Sequence, residues 1–194
     1  MTDTLTGEQM IELERGRHKR LNIGCGNYPL NWFINLDADP NIPADIHEVV
    51  PPIPFDDGSM EYVWACHFVE HLSRSEAAEF MRECYRVLQP GGKVGIVVPD
   101  TREVMIRWLN NAVDCIEYPV GEWRAVNDLD NVCDLFLYST AQDSPHQWSY
   151  DAVTLARLIQ SAGFEDLAQI DRYRHPLLGV PAWYQVGYEG RKPE

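Results

Sequence analysis

Six residues, Leu21-Asn22-Ile23-Gly24-Cys25-Gly26, constrain this chain more than any other stretch. An apolar run that stops at Gly-x-Gly reads as a buried strand delivering a turn whose glycines carry no Cβ, so a ligand can touch the main chain there. Asp37 ends a second apolar run shortly afterwards. Two adjacent strands ending this way face one crevice, where an ionised carboxylate can accept hydrogen bonds from both hydroxyls of a ribose. The ligand implied is a nucleoside. For the Gly-x-Gly taken alone, a tight structural turn is the competing explanation.

Two phosphate-bearing ligands are disfavoured. A dinucleotide fingerprint needs a third glycine three residues after the second, and Pro29 stands there, which argues against a nicotinamide oxidoreductase. Gly91-Gly92-Lys93 continues into Val94 and lacks the hydroxyl residue of a triphosphate loop. What remains is a nucleoside carrying something other than phosphates.

The order of elements points to an α/β protein. Arg20–Ile23, Phe33–Leu36, Tyr62–Ala65 and Val94–Val98 are short apolar runs typical of strands buried on both faces of a parallel sheet, with a weaker strand at Ala44–Val49. Ser73 and Glu76 spell a capping box, and Ala77, Phe80, Met81, Cys84 and Leu88 follow at helical spacing until Gln89-Pro90-Gly91-Gly92. Val104–Leu109 reads as helical. A second clear helix is expected from Tyr150 to Ala162, capped by Ser149 and stopped by Gly163. Glu165–Tyr173 and Ala182–Tyr188 are expected as strands joined by a short connection, which makes an antiparallel hairpin. The fold class is therefore α/β, a Rossmann-like three-layer sandwich with a mostly parallel sheet of seven (or six) strands and a terminal antiparallel hairpin. Residues 1–194 read as a single domain, with 1–19 as an N-terminal helical extension (helix at 8–16) and 101–149 as a cap or lid inserted over the substrate.

Charge narrows the partners. With 16 Lys and Arg against 30 Asp and Glu the net charge is −14, which disfavours nucleic acid, whose affinity for proteins comes largely from cations on phosphates. The cluster Arg15, Arg17, Lys19 and Arg20 is read as a solvated helix end. No apolar run reaches the roughly 20 residues of a membrane span, and Met1–Gly7 lacks the order of a secretory signal, so a cytoplasmic location is expected. The five cysteines include no Cys-x-x-Cys pair, and they suggest reduced structural thiols rather than a disulfide framework or thiolate metal site. Oligomeric state is left open.

The ordered set of motifs resembles the class I S-adenosylmethionine-dependent methyltransferases, nearest the type 11 branch. The matching stretches are Leu21–Gly26, Ile34–Asp37, Ile53–Glu61 with its Pro-Phe turn, Val69–Leu72, Val87–Lys93 and Ser161–Phe164. The resemblance implies S-adenosyl-L-methionine as cofactor, an adenosine without phosphates. It implies that Gly24, Cys25 and Gly26 approach the methionine portion, Asp37 the ribose hydroxyls, and Glu48 or alternatively Asp45 the adenine amino group. Cys66 and His67 end the strand where such enzymes hold the transferring methyl. The sequence departs from the family in one respect: the link from Gly26 to Phe33 is shorter than the roughly dozen residues of a parallel crossover, so the first helix must be a single turn or absent.

Methyl transfer is in-line displacement, with catalysis mainly by orientation, and a base is needed only where the acceptor loses a proton. His67 is the first candidate base and His146 the second, since imidazole titrates near neutrality. A histidine that merely packs against the cofactor is the alternative for His67. Asp100 can orient the acceptor or cap the next helix. Two other function classes compete: a non-catalytic adenosylmethionine-binding module, and a metal-dependent hydrolase through His67, Glu70 and His71, which spell H-x-x-E-H. The hydrolase motif needs both histidines on one helix, yet a strand runs into His67, so no metal is expected; the alternative is a metal held by His67, Glu70, His71 and His146. For the acceptor, Trp108, Tyr118, Trp123, Phe136, Tyr138 and Trp148 suit a small planar molecule or a saccharide, with a lid that packs them as its own core as the alternative; the resemblance implies methylation at oxygen.

Overall fold

The computed structural model describes residues 19–110, 146–171, 175, 177, 178 and 184–194. The expected helix at 8–16, most of the expected lid, and the aromatics Tyr118, Trp123, Phe136 and Tyr138 lie outside these residues, as does the side chain of Trp108.

Seven strands form one sheet in the order β3-β2-β1-β4-β5-β7-β6. They are β1 (Arg20–Ile23), β2 (Ile34–Asp37), β3 (Ile46–His47), β4 (Met60–Cys66), β5 (Leu88–Pro99), β6 (Glu165–Gln169) and β7 (Gln185–Arg191). β1 pairs in parallel with β2 and β4, and β4 with β5, whereas β7 runs antiparallel to both β5 and β6. Chain order reverses at β1, so the crevice between β1 and β4 is the topological switch point, and the C-terminal ends of β1 to β5 share one edge.

Local chemistry explains most elements. Helix α1 (Arg74–Val87) begins with the full capping box: Ser73 N donates to Glu76 Oε2 at 2.8 Å and Glu76 N to Ser73 Oγ at 3.4 Å. Its buried residues Ala77, Phe80, Met81, Cys84 and Val87 recur at helical spacing and join Leu155 and Ile159 of helix α3 (Ala152–Ser161) in the main core on one face of the sheet. On the other face Phe33, Trp64, Val97 and Ile170 form a second cluster, and the Trp64 ring stacks on His175 with centroids 5.0 Å apart.

Several boundaries differ from expectation for identifiable reasons. The third strand shrinks to Ile46–His47, because it pairs with only Leu36 and Asp37 of β2 and Pro51-Pro52 cannot donate to a ladder. β7 ends at Arg191 rather than Tyr188, since it pairs along β5 from Pro99↔Gln185 to Lys93↔Arg191. Helix α3 starts at Ala152 with Asp151, not Ser149, as its cap: Asp151 Oδ1 accepts from Thr154 N at 2.8 Å, while Tyr150 is held extended by a bridge to Asp100. Asp100 itself caps helix α2 (Thr101–Leu109), accepting from Glu103 N at 3.2 Å. Among the described residues no helix is long and apolar enough to cross a membrane.

The short β1–β2 link contains no helix. In its place, buried Asn35 of β2 pins the loop: its Oδ1 accepts from Leu30 N at 2.8 Å and Asn22 Nδ2 at 2.9 Å, and its Nδ2 donates to Leu30 O at 3.2 Å. A side-chain network thus does what a crossover helix does in longer links.

Candidate functional site

At the tip of β1, Gly24 N and Cys25 N both donate to Leu36 O, at 2.8 and 3.2 Å, which folds the turn back over β2. Gly24 and Gly26 have φ of 65° and 50°, the left-handed region that favours glycine. Gly26 N donates to Asp37 Oδ2 at 2.9 Å, and Asp39 N donates to Asp37 Oδ1 at 3.0 Å. Each carboxylate oxygen keeps acceptor capacity for a hydroxyl. A Cβ on Gly26 would meet nothing within 4 Å, so the main chain borders open space there. Cys25 is buried, and burial first, then Asp37 and Asp45, pushes its thiol up to about 11. Burial likewise raises Cys66 to about 12, with Glu70 adding to the shift. Burial thus disfavours the nucleophilic thiolate form of both.

Of the two acidic residues considered for adenine, Asp45 is engaged with β2, its Oδ2 accepting from Asn35 N at 2.8 Å and Asn35 Nδ2 at 3.2 Å. Glu48 lies half-buried just past β3.

His67 follows β4 with φ 54°, its N–H donating to Val97 O at 2.9 Å. Its ring lies between two side chains: Nδ1 is 3.1 Å from Glu70 Oε1 and Nε2 is 2.7 Å from Gln185 Nε2. An amide nitrogen only donates and a carboxylate only accepts, so in this arrangement Nε2 accepts and the proton sits on Nδ1. Gln185, at the start of β7, was missed by sequence reasoning, because no local signal links residues 118 positions apart. Glu70 lies in a 3-10 turn, Val69–His71, with its side chain 1% exposed.

The segment 146–150 crosses this same edge. Gln147 N and Trp148 N donate to Glu70 O at 2.8 and 3.2 Å, Gln147 Nε2 donates to His71 O at 2.9 Å, and Arg74 lies over the Trp148 ring at 5.2 Å. His146 packs edge-to-face on His71 with centroids 4.8 Å apart. Burial holds the His146 imidazole below its ordinary value, against a smaller upward pull from Glu70.

Among the described residues, three buried side-chain atoms lack a hydrogen-bond partner: His47 Nδ1, Glu70 Oε2 and Gln185 Oε1. All three sit at the C-terminal edge of the parallel strands, since His47 ends β3 opposite Asp37 and Gln185 pairs with Pro99 at the end of β5. Buried polar atoms without partners are rare in a folded core. Their concentration here makes this edge the candidate site, and the open space at Gly26 beside Asp37 fits a nucleoside-bearing cofactor.

Residues 33–96 match the family model of a methyltransferase domain, type 11. The chain is 27% identical over 118 residues to the chloroplastic tocopherol O-methyltransferase of Arabidopsis thaliana, covering 61% of this chain and 28% of that protein. It is 26% identical over 156 residues to the ubiquinone/menaquinone biosynthesis C-methyltransferase of Citrobacter koseri, covering 80% of this chain and 53% of that protein. The chain therefore spans about half, or less, of the length of these curated relatives. A SAM-dependent methyltransferase from Archaeoglobus fulgidus has the same fold, with a TM-score of 0.56 over 95% of this chain and 90% of its own at 14% identity.

Proposed function

We propose that this chain, a member of the type 11 branch of the class I methyltransferases, transfers a methyl group from S-adenosylmethionine to an oxygen of a small-molecule acceptor. The observation that carries the reading is the Gly26–Asp37 hydrogen bond at the switch point, 2.9 Å long and bordered by open space. It presents a turn with no Cβ at Gly26 and a carboxylate with spare acceptor capacity to one ligand.

When bound, the cofactor supplies an electrophilic methyl on a sulfonium. Gly24, Cys25 and Gly26 border its methionine portion, and Asp37 accepts from its ribose hydroxyls. Glu48 takes the adenine amino group, since Asp45 is already engaged with Asn35. Cys66 and His67 lie at the β4 end, where the acceptor meets the methyl. An acceptor hydroxyl that gains a methyl must lose its proton, and His67 Nε2 takes it. For that, the Gln185 amide, which occupies the single lone pair of Nε2 at 2.7 Å, swings aside so that the hydroxyl reaches Nε2, while Nδ1–H stays on Glu70 Oε1. His146, across the Glu70 turn, bounds the same side. Residues 101–149 serve as the cap over the acceptor and residues 1–19 as an extension of the single domain.

The two curated relatives are named as a tocopherol O-methyltransferase and a C-methyltransferase of ubiquinone/menaquinone biosynthesis. A small-molecule acceptor with a ring hydroxyl is accordingly preferred over a saccharide. Calorimetric titration with S-adenosylhomocysteine and with NAD tests the cofactor: binding of the former, weakened about tenfold or more in Asp37→Ala, is expected. Binding of NAD alone refutes the reading. Release of S-adenosylhomocysteine across a panel of phenols, quinols and saccharides then identifies the acceptor class; turnover only with saccharides overturns the ring-hydroxyl preference.

A further inference from the structure

The H-x-x-E-H motif fails as a hydrolase helix, yet folding assembles a different donor set from part of it. We infer that Glu70, His71 and His146 form a binding site for one divalent transition-metal ion, of which zinc fits the donors best. One donor atom from each residue lies within 4.8 Å of the other two. Two come from adjacent positions in the 3-10 turn Val69–His71, and the third from a segment pinned to that turn by two backbone hydrogen bonds onto Glu70 O and one side-chain bond onto His71 O. This fastening fixes the main chain on both sides of the cluster.

The independent sign of a ligand is the Glu70 carboxylate. Its side chain is 1% exposed; Oε1 is held by His67 Nδ1 at 3.1 Å, and Oε2 is buried without a partner. An ionised carboxylate oxygen left bare in a core is costly, and a cation removes that cost. The bond from His67 then plays the part that outer partners of metal-bound groups commonly play, fixing the orientation of the ligating carboxylate. Two imidazoles and one carboxylate suit zinc and its neighbours rather than magnesium or calcium, which prefer all-oxygen shells. Ligands around zinc lie about 3.3 Å apart, so side-chain rotations must draw the three donors inward by about an ångström or more. Three protein donors leave a fourth position for water or an acceptor oxygen, one carboxylate away from His67.

The site stands on its own and does not depend on the methyltransferase reading. The test is titration of the chelator-treated full chain with cobalt(II), followed by the visible bands of a low-symmetry complex, with zinc(II) as competitor. One equivalent is expected to bind, and zinc to displace it. His71→Ala and His146→Ala are each expected to lower affinity about a hundredfold. Because replacing a buried carboxylate threatens the fold, His146→Ala, at a half-exposed position outside any helix or strand, is the deciding variant, with circular dichroism as the folding control. Absence of saturable binding by the folded wild type, or undiminished affinity in His146→Ala, overturns the inference. S-adenosylhomocysteine binding by the same metal-free samples is read separately, so failure of the metal site is distinguishable from failure of the cofactor assignment.

Discussion

The ring of Phe68 lies where a side chain on Gly24 would have to be: a Cβ built there comes 2.5 Å from Phe68 Cδ2. The turn after β1 is thereby locked against the residue that follows His67, and the two halves of the crevice become one packed unit.

The two glycines of the turn are consequently required for different reasons. Gly24→Ala combines a left-handed φ of 65° with a collision against a packed ring, and a loss of about 3 kcal/mol in urea unfolding is expected. Gly26→Ala has the strain at φ 50° without the collision, so about 1 kcal/mol is expected. Its methyl group, however, projects into the open space beside Asp37, and S-adenosylhomocysteine affinity is expected to fall about tenfold or more. Equal stability losses in the two variants would contradict this division.

Asn35 is the fastening of the helix-free link. Asn35→Ala strands the Leu30 N–H and takes one partner each from Asn22 Nδ2 and Asp45 Oδ2, which keep Tyr28 O and the residue 35 N–H. The expected cost is about 3 kcal/mol by urea denaturation, with faster amide exchange across residues 24–33. Wild-type exchange there in a variant that is nonetheless destabilised would place the cost elsewhere.

What could be read in the sequence was what local chemistry decides. Strand β1 matches its expected bounds because four residues of one continuous run carry it, and the Ser73–Glu76 box is visible because both partners lie within one helical turn. The Gly-x-Gly turn and Asp37 were likewise legible, each being a strand end. Partners fixed by topology were not. Tyr150 was drawn into the third helix because nothing nearby shows that Asp100 holds it extended. Gln185 reaches His67 only because β7 turns antiparallel to β5, and His146 reaches Glu70 only after the chain returns across the sheet edge. The motif His67–His71 was visible as letters, but its members separate in space: His67 sides with Gln185, while His71 turns to His146.

Acid should weaken the tie between α1 and the Pro-Phe turn. Arg86 donates to both Glu83 oxygens, at 2.7 and 2.8 Å, and to Ile53 O and Phe55 O, while Ile53 N donates to Glu83 Oε2 at 2.9 Å. The guanidinium holds the Glu83 carboxyl below its ordinary value of 4.5. A depressed folded value means that the contribution is complete above about pH 4.5 and is lost as the pH falls through the folded value. Glu83→Gln is therefore expected to be less stable than the wild type at neutral pH, with the gap closing in acid. A gap that is constant with pH in urea titrations would mean that Glu83 acts by packing alone.

His67 offers the sharpest separation of catalysis from packing. Its φ of 54° makes alanine a poor replacement, since strain would be added to the loss of the ring. Asparagine tolerates that backbone region and keeps a polar group between Glu70 and Gln185, but it cannot take up a proton near neutrality. If His67 accepts the acceptor's proton, His67→Asn lowers kcat by about 10²–10⁴ while KM for the acceptor and S-adenosylhomocysteine affinity stay near wild type. A ring that merely packs against the cofactor gives the opposite pattern, weakened affinity with kcat nearly retained. Steady-state kinetics at saturating cofactor, paired with calorimetry on the same preparations, decides between the two.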